Sequence, residues 1–294
     1  MYSDNVLFCG DCREYLDTIE ENSIDLVITD PPYFLDGLDD GWNKDCVDIK
    51  KEKANIIGGL PVGMRFDKNQ GRRFQAFYNE IAKKIWRVMK PGSFFLSFSQ
   101  PRLYHRMATA IEDAGFELRD QYIWHYKKGQ MKAFSMDHFV EKMSLSKEEK
   151  QELKSILEGR KTPQLRPQFE SISLAQKPKE GTFIENWCKW RVGLIDIHHS
   201  LDGKTPTTLM YVEKPNKDEY NTHITVKPVR LLEHIISIFS KQGQRVLDPF
   251  LGSGTTAIAA HNTKRTYVGV ELQQEYMDIV QRRLDAIGSQ YILL

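Results

Sequence analysis

The chain of 294 residues has few cysteines, no long apolar run and almost no net charge. Of its four cysteines, only Cys9 and Cys12 are close in sequence, a C-x-x-C pair that is compatible with a zinc or redox role but favours two incidental thiols at a strand end. No second pair, and no set of histidines, stands at zinc-ligand spacing, so we expect no metal site. No apolar run approaches the ~18 residues that span a bilayer, and the first residues lack a secretory signal. We therefore expect a cytoplasmic protein without a membrane partner.

The net charge of +1 excludes a uniformly basic nucleic-acid binder, but the charge is unevenly distributed. Residues 127–217 contain 17 lysines and arginines against 12 acidic residues. A stretch of this kind suits contacts with phosphate groups, although a solvated polar surface gives the same modest excess. Charge alone leaves both interpretations open.

Strand and helix signals alternate in both end regions of the chain. Apolar runs predict strands over residues 6–8, 24–29, 93–98, 116–126, 246–248 and 266–271. Apolar residues at spacings of three and four predict helices over residues 13–19, 74–89, 103–114, 229–241 and 275–287, and another from Thr255. Strands separated by helices indicate an α/β fold with a doubly wound, mostly parallel, Rossmann-like sheet.

Residues 130–222 interrupt this alternation. One helix is indicated, where Ser146 and Glu149 form a capping box and Gly159 ends the helix. Prolines are scattered through the remainder, which predicts irregular structure. We therefore divide the chain into residues 1–129 and 223–294, which build the sheet, and residues 130–222, an inserted loop-rich module. A glycine-rich segment over residues 34–73 has a length typical of a functional lid or of a disordered loop, and its position directly after Tyr33 favours the lid.

A glycine-containing segment follows the predicted strand at residue 246. It reads Asp248-Pro249-Phe250-Leu251-Gly252-Ser253-Gly254-Thr255-Thr256. Its glycines allow the backbone to turn sharply and a ligand to approach the start of the next helix. Glu271 ends the following strand 19 residues after Gly252, where nucleotide-binding α/β folds place an acid that accepts hydrogen bonds from ribose. The pattern predicts a nucleotide-like ligand, with a tight turn that binds nothing as the alternative.

The second segment, Thr29-Asp30-Pro31-Pro32-Tyr33, follows the predicted strand at residue 24. The two prolines stiffen the loop, so that the carboxylate of Asp30 and the carbonyl of Pro31 can be directed outward as hydrogen-bond acceptors. Two acceptors that hold the hydrogens of a ring-conjugated amine would make its lone pair available for attack. Tyr33 offers a flat face on which a base could stack. The pattern predicts a loop that activates an exocyclic amine.

Together, these segments resemble those of the amino-group DNA methyltransferases that use S-adenosylmethionine. The catalytic loop precedes the cofactor loop, which is the order of the permuted β group. His223-Ile224-Thr225-Val226-Lys227-Pro228 and Gly10-Asp11-Cys12 resemble two further cofactor-binding segments of that group. The resemblance implies that Asp30, Pro31, Pro32 and Tyr33 are catalytic. It implies that the cofactor is bound by Asp11, Cys12, His223, Thr225, Lys227, Asp248, Pro249, Phe250, Gly252, Ser253, Gly254, Thr255, Thr256, Glu271 and Leu272.

The resemblance also implies the substrate. Members with Asp at the first position of the loop mostly methylate N6 of adenine, after the base is flipped out of the duplex. Members with Ser there mostly methylate N4 of cytosine, which is the alternative. A protein glutamine methyltransferase fits less well, because its loop typically begins with Asn and follows the cofactor loop.

Members of this family use their inserted region to recognise the target sequence. The resemblance therefore implies DNA as a partner, a second copy of the chain as a possible one, and a cognate restriction endonuclease as another possible one. In this chain, six basic residues in or directly before the inserted region are candidates for DNA contacts, with a solvated surface as the alternative. They are Lys127, Lys128, Lys132, Arg160, Lys161 and Arg166.

Overall fold

The computed structural model describes residues 5–32, 69–127, 129, 131, 133–199, 203, 205–214 and 226–294. The predicted residues Tyr33, Lys128, Lys132, His223 and Thr225, and the predicted lid before residue 69, lie outside these ranges. In the described part of the chain, no helix is long and apolar enough to cross a membrane.

The described residues form nine strands in a single sheet. The strands are β1 Val6–Cys9, β2 Ile24–Thr29, β3 Met89–Ser99, β4 Glu117–His125, β5 Phe169–Gln176, β6 Leu209–Tyr211, β7 Arg245–Asp248, β8 Thr266–Glu271 and β9 Ile292–Leu293. The helices are α1 Cys12–Thr18, α2 Gln70–Val88, α3 Tyr104–Asp113, α4 Asp137–Glu141, α5 Lys147–Ile156, α6 Phe183–Trp190, α7 Val229–Phe239, α8 Thr255–Asn262 and α9 Gln274–Ala286. Helix α2 begins at Gln70, so residues 70–73 are helical and the prediction that they belong to the lid was wrong.

The strand order across the sheet is β6-β4-β5-β3-β2-β7-β8-β1-β9. Strand β5 runs antiparallel to its neighbours β3 and β4, whereas the other adjacent strands are parallel to each other. The mostly parallel α/β sheet predicted from the alternating signals is confirmed.

Helices cover both faces of the sheet. In β2, Leu26 and Ile28 pack into a core with α7, α8 and α9, whereas Val27 packs into a core with α1, α2 and α3. All six residues of this strand are buried, because successive side chains point to opposite faces and each face is covered. The doubly wound arrangement is confirmed, and it directs strand ends, rather than sheet faces, toward potential ligands.

The prediction of irregular structure in the middle segment was wrong for β5 and α6, and also for the short elements α4 and β6. Strand β5 lies inside the sheet, although Ser171 and Ser173 are fully buried within it. These serines break up the continuous apolar run that is typical of a strand buried on both faces. Helix α6 begins with a second capping box, formed by Thr182 and Glu185, and packs near the start of β3. The sheet thus takes a strand from the inserted segment.

The first part of the inserted segment leaves and rejoins the sheet at one edge. His125 at the end of β4 lies opposite Phe169 at the start of β5. Since β4 is parallel to β2 and β7, residues 127–168 emerge at the edge where those two strands also end. This part contains α4 and α5 and has ten basic residues against six acidic ones. Most of the excess of basic over acidic residues in the middle segment therefore belongs to the part of the chain that leaves and rejoins the sheet at that edge.

Candidate active site

The two segments predicted as half-sites meet at the carboxyl edge of the sheet. Strands β2 and β7 are parallel neighbours, with Leu26 opposite Val246. Strand β2 ends at Thr29 and β7 at Asp248. Because parallel neighbours end at the same edge, the loops that follow these two residues start side by side.

Asp248 joins the two loops through a buried set of hydrogen bonds. The hydroxyl of Thr29 donates to its Oδ1 at 2.7 Å, and the backbone N–H of Phe250 donates to the same oxygen at 3.0 Å. The hydroxyl of Thr256, in the first turn of α8, donates to Oδ2 at 2.6 Å. Burial raises the pKa of Asp248 to about 6, although these three donors favour the carboxylate. Asp248 thus holds the end of β2, the cofactor loop and the first turn of α8 in one arrangement.

The cofactor loop turns at its two glycines. Gly252 and Gly254 have φ values of 56° and 86°, in the left-handed region that favours glycine. A Cβ atom on Gly254 would lie 3.0 Å from Cγ1 of Val280. The loop therefore needs glycine at residue 254 both for its backbone conformation and for its packing against α9.

The other loop residues predicted to bind cofactor are held in place by burial. Phe250 is 7% exposed and its ring centre lies 6.2 Å from that of Phe77. The hydroxyl of Ser253 accepts a hydrogen bond from Arg283 at 3.2 Å. The buried remainder comprises Pro249, Thr255 and Thr256. A loop packed this way has a fixed backbone, which suits recognition by main-chain groups.

Glu271 ends β8 beside this loop. The backbone N–H of Gly252 donates to its Oε2 at 2.9 Å, and that of Gln273 donates to its Oε1 at 2.9 Å. Burial raises the pKa of Glu271 to about 7 despite these backbone bonds. The backbone N–H of Leu272 also favours the carboxylate. A carboxylate has about four acceptor positions, so three donors leave capacity for a ribose hydroxyl. Leu272, which is half-buried, follows directly.

The Gly10-Asp11-Cys12 turn adjoins Glu271 at the same edge. The backbone N–H of Gly10 donates to the carbonyl of Glu271 at 2.9 Å. Asp11 caps α1 and pairs with Arg13 at 2.6 Å; burial favours the neutral acid, but the Arg13 contacts outweigh it and lower the pKa of Asp11. Cys12 is fully buried, and its burial raises the thiol pKa well above the usual value. Its side chain points into the core, which leaves only its backbone for a ligand.

The catalytic loop begins with a half-buried Asp30, a buried Pro31 and a half-buried Pro32. The ammonium group of Lys227 makes an ion pair with Oδ2 of Asp30 and lies 3.3 Å from Oε2 of Glu170. Burial alone would lower the pKa of Lys227, but the two carboxylates raise it above its ordinary value. Lys227, which we expected among the cofactor ligands, thus contacts the catalytic loop.

The structure adds two residues that we did not single out as functional. Thr29 precedes the catalytic loop and binds Asp248, whereas Glu170 enters the site from β5. A buried hydroxyl at a strand end has no distinctive sequence signal. Glu170 lies in a short polar-apolar alternation, but that pattern cannot reveal that a strand from the middle of the chain reaches the catalytic edge.

Four candidate DNA-contact residues fall within the described ranges, namely Lys127, Arg160, Lys161 and Arg166, and all four are exposed. They belong to the part of the inserted segment that emerges at the catalytic edge. The ammonium group of Lys127 lies 5.2 Å from the ring centre of Tyr211. Among the described residues, no group of three or more His, Cys, Asp and Glu side chains could hold a metal ion.

Comparison with known proteins identifies the family of this chain. A family model described as DNA methylase matches residues 24–282, a span that includes both loops and strands β2 to β8. The chain belongs to the DNA methylase family. The family consists of S-adenosylmethionine-dependent methyltransferases, so the predicted reaction class, site-specific DNA methylation, and its cofactor are confirmed.

Individual relatives agree with this assignment. The enzyme is 28% identical to the type II methyltransferase M.HindIII of Haemophilus influenzae over 90% of each chain. Its fold is similar to that of a Thermus thermophilus protein described as a DNA modification methylase and solved with S-adenosyl-L-methionine. That match has a TM-score of 0.61 and 20% identity, over 99% of this chain and 98% of the other. A PvuII DNA methyltransferase specific for cytosine N4 has a TM-score of 0.60 and 17% identity, over 99% and 96% of the chains.

Proposed function

We propose that the enzyme methylates N6 of adenine within a short DNA sequence, with S-adenosylmethionine as the methyl donor. The observation that carries this proposal is the bond network at Asp248, which sets the amine-binding loop beside the cofactor loop. Methyl transfer requires donor and acceptor to be close and aligned, and a fixed arrangement of the two loops supplies much of that alignment.

The residues of the cofactor loop fit an adenosyl ligand. The glycine turn at residues 252–254 brings the backbone close to the start of α8, and Glu271 lies beside it as an acceptor for ribose hydroxyls. Asp11 stands at the adjacent strand end, where it would contact the adenine. When bound there, the cofactor supplies an electrophilic methyl group on a positively charged sulfur. We assign the orientation of that group to this loop and to Glu271.

Asp30 and the carbonyl of Pro31 would hold the target amine. Both belong to a loop whose start is anchored through Thr29 and whose Pro31 is buried. Acceptors fixed in this way withdraw the two hydrogens of the amine from the ring plane and localise the nitrogen lone pair. The amine would then be placed for in-line displacement at the methyl group of the bound cofactor, with the neutral thioether as the leaving group and one amine proton passing to Asp30 or to solvent. Tyr33 would stack on the flipped base.

The choice of adenine rests on Asp30. Because the fold is shared with an enzyme described as specific for cytosine N4, the architecture does not separate the two bases. Family members with Asp at this position mostly methylate adenine, and Asp30 therefore supports N6. N4 methylation of cytosine is the alternative outcome of the test below.

The inserted segment, residues 130–222, would read the DNA sequence. The part that emerges at the catalytic edge carries an excess of basic residues, and the described candidates among them are exposed. Exposed lysines and arginines at the mouth of the site would contact phosphate groups and fix the register of the DNA.

We also propose a cytoplasmic location, which follows from a chromosomal DNA substrate. The designation of the Haemophilus relative as a type II methyltransferase supports a cognate restriction endonuclease as a partner. A homodimer is supported by the resemblance to dimeric members, and measurement of the molar mass in solution tests it.

Sequencing of DNA from cells that express the chain, with a readout for modified bases, tests substrate and site together. We expect N6-methyladenine at one short recognition sequence, and its loss in cells that express Asp30→Ala. N4-methylcytosine at a fixed sequence would overturn the choice of base. A methylated protein with unmodified DNA would overturn the proposed substrate class.

A further inference from the structure

A buried lysine connects the catalytic loop to a strand of the inserted segment. Lys227 is 7% exposed, and its ammonium group bridges the carboxylates of Asp30 and Glu170. The same nitrogen lies 5.2 Å from the ring centre of Phe98 on β3. The bridge therefore joins three parts of the chain: the loop after β2, strand β5 and the segment before α7.

Because Lys227 is buried, its charged ammonium group depends on the two carboxylates that flank it. A buried ammonium group is stable only when it is paired, and here two acids provide the pairing. The set of Asp30, Lys227 and Glu170 carries a net charge of −1. Lys214 lies 3.8 Å from the other oxygen of Glu170, but 42% of its side chain is exposed, so solvent screens its charge.

The bridge constrains the carboxylate that would receive the target amine. An ion pair to Oδ2 of Asp30 holds that oxygen in place and so restrains the rotation of the carboxylate. Glu170 also pairs with the ammonium group, at 3.3 Å, so that Lys227 is held by a second contact besides the one to Asp30. A net negative set also suits a reaction in which positive charge moves from the sulfur of the donor onto the amine nitrogen.

We propose that Lys227 and Glu170 are positioning residues for Asp30 in methyl transfer, and that Lys227 does not bind the cofactor. This inference rests on the proposed function, since it assigns the two residues to the amine-binding half of that site. Glu170 acts through Lys227, so that a residue of the inserted segment helps to position the catalytic acid.

The test compares Lys227→Met, Lys227→Arg and Glu170→Gln with the wild type in the full-length enzyme. The readouts are the single-turnover rate with labelled S-adenosylmethionine and DNA, and the Kd for S-adenosylmethionine. We expect Lys227→Met to lower the rate by ~100-fold, the order expected for a misplaced catalytic group, and to change the Kd by less than about twofold. Lys227→Arg should recover part of the rate, and Glu170→Gln should lower it by ~10-fold.

A pH profile separates positioning from a general loss of structure. Loss of the ammonium group leaves Asp30 and Glu170 as close acids, which favours protonation of one of them. The acid limb of the rate in Lys227→Met should therefore move to higher pH. Within the described ranges, other ionisable groups that interact with this set include Lys214, Tyr78, Tyr126 and Asp248, and they are unchanged in the variant.

Lys90→Met is the matched control. Lys90 makes a 2.6 Å ion pair with the buried Asp25 at the opposite edge of the sheet. Its substitution should lower stability, but the folded variant should keep a single-turnover rate within about twofold of wild type. A variant of Lys227 that transfers methyl at the wild-type rate, or that loses cofactor affinity instead of rate, would overturn the inference. If Lys227→Met does not fold, Glu170→Gln and Lys227→Arg decide by the same readouts. Absence of DNA methylation by the wild type would refute the proposed function itself.

Discussion

Removal of the Thr29 hydroxyl tests whether the two halves of the site are held together by Asp248. Valine has nearly the same shape as threonine, so Thr29→Val removes the 2.7 Å hydrogen bond with little change in volume. A hydrogen bond to a charged group contributes about 1.5–3 kcal/mol to stability. Asp248 retains Phe250 and Thr256 as donors, which places the expected loss near the lower end, about 1.5–2 kcal/mol.

Urea denaturation measures the free energy of unfolding, and a single-turnover assay measures methyl transfer. We expect Thr29→Val to lower the rate by about tenfold, because Asp30 follows Thr29 directly and small displacements of catalytic groups are costly. Thr29→Ser is the control, since it keeps the hydroxyl and loses only a methyl group. It should retain most of the rate.

A double-mutant cycle with Thr29→Val and Thr256→Val tests whether the two hydroxyl groups are coupled through the carboxylate of Asp248. Each variant removes a donor from a different oxygen of Asp248, and of the donors seen among the described residues the double variant keeps the backbone N–H of Phe250. We expect the double loss in stability to differ from the sum of the single losses by at least about 0.5 kcal/mol. Additive losses, or a Thr29→Val enzyme as active as Thr29→Ser, would refute the role we give to Asp248.

Two further predictions concern the cofactor loop. Gly254→Ala should lower stability by about 2 kcal/mol, because of its φ of 86° and its contact with Val280, and should weaken cofactor binding in calorimetry. Gly243→Ala, with a φ of 81° and open space around it, is the control, and equal effects of the two would argue against a packed loop. The raised pKa of Glu271, about 7, means that the folded state binds its proton more tightly than the unfolded state. Its contribution to stability, up to about 3 kcal/mol, is therefore present below pH ~4.5 and lost as the pH rises through ~7, while ribose binding should strengthen over the same range. Asp248, with a pKa of about 6, adds a change of the same sign at lower pH. Stability and affinity curves of Glu271→Gln should lack this component, and an unaltered pH dependence would contradict the assignment.

The sequence was sufficient to predict the parts of the fold that depend on local pattern. Strands β2, β7 and β8 follow from apolar runs, and both loops follow from glycine, proline and acidic residues at fixed offsets from those runs. Their approach at one edge could be inferred because parallel strands of an α/β sheet share a direction. Thr29 and Asp248 lie where that reasoning places them.

The contributions of the middle segment could not be predicted in the same way. Strand β5 pairs antiparallel with β3 and β4, and its buried serines weaken the apolar signal. Pairing partners that are distant in sequence leave no local pattern, so neither the entry of Glu170 into the site nor its bridge to Lys227 was visible. A lysine followed by proline reads equally well as a cofactor ligand or as a partner of the catalytic acid. The choice depends on which strand ends lie beside it.

Transfer of a labelled methyl group from S-adenosylmethionine to DNA, by the wild type and by Asp30→Ala, tests the central claim most directly. We expect label in N6-methyladenine with the wild type. Asp30→Ala should transfer no methyl group and should keep a cofactor Kd within about twofold of wild type, because Asp30 belongs to the amine-binding loop and Glu271 to the cofactor loop. Transfer by Asp30→Ala at the wild-type rate would show that Asp30 does not hold the target amine.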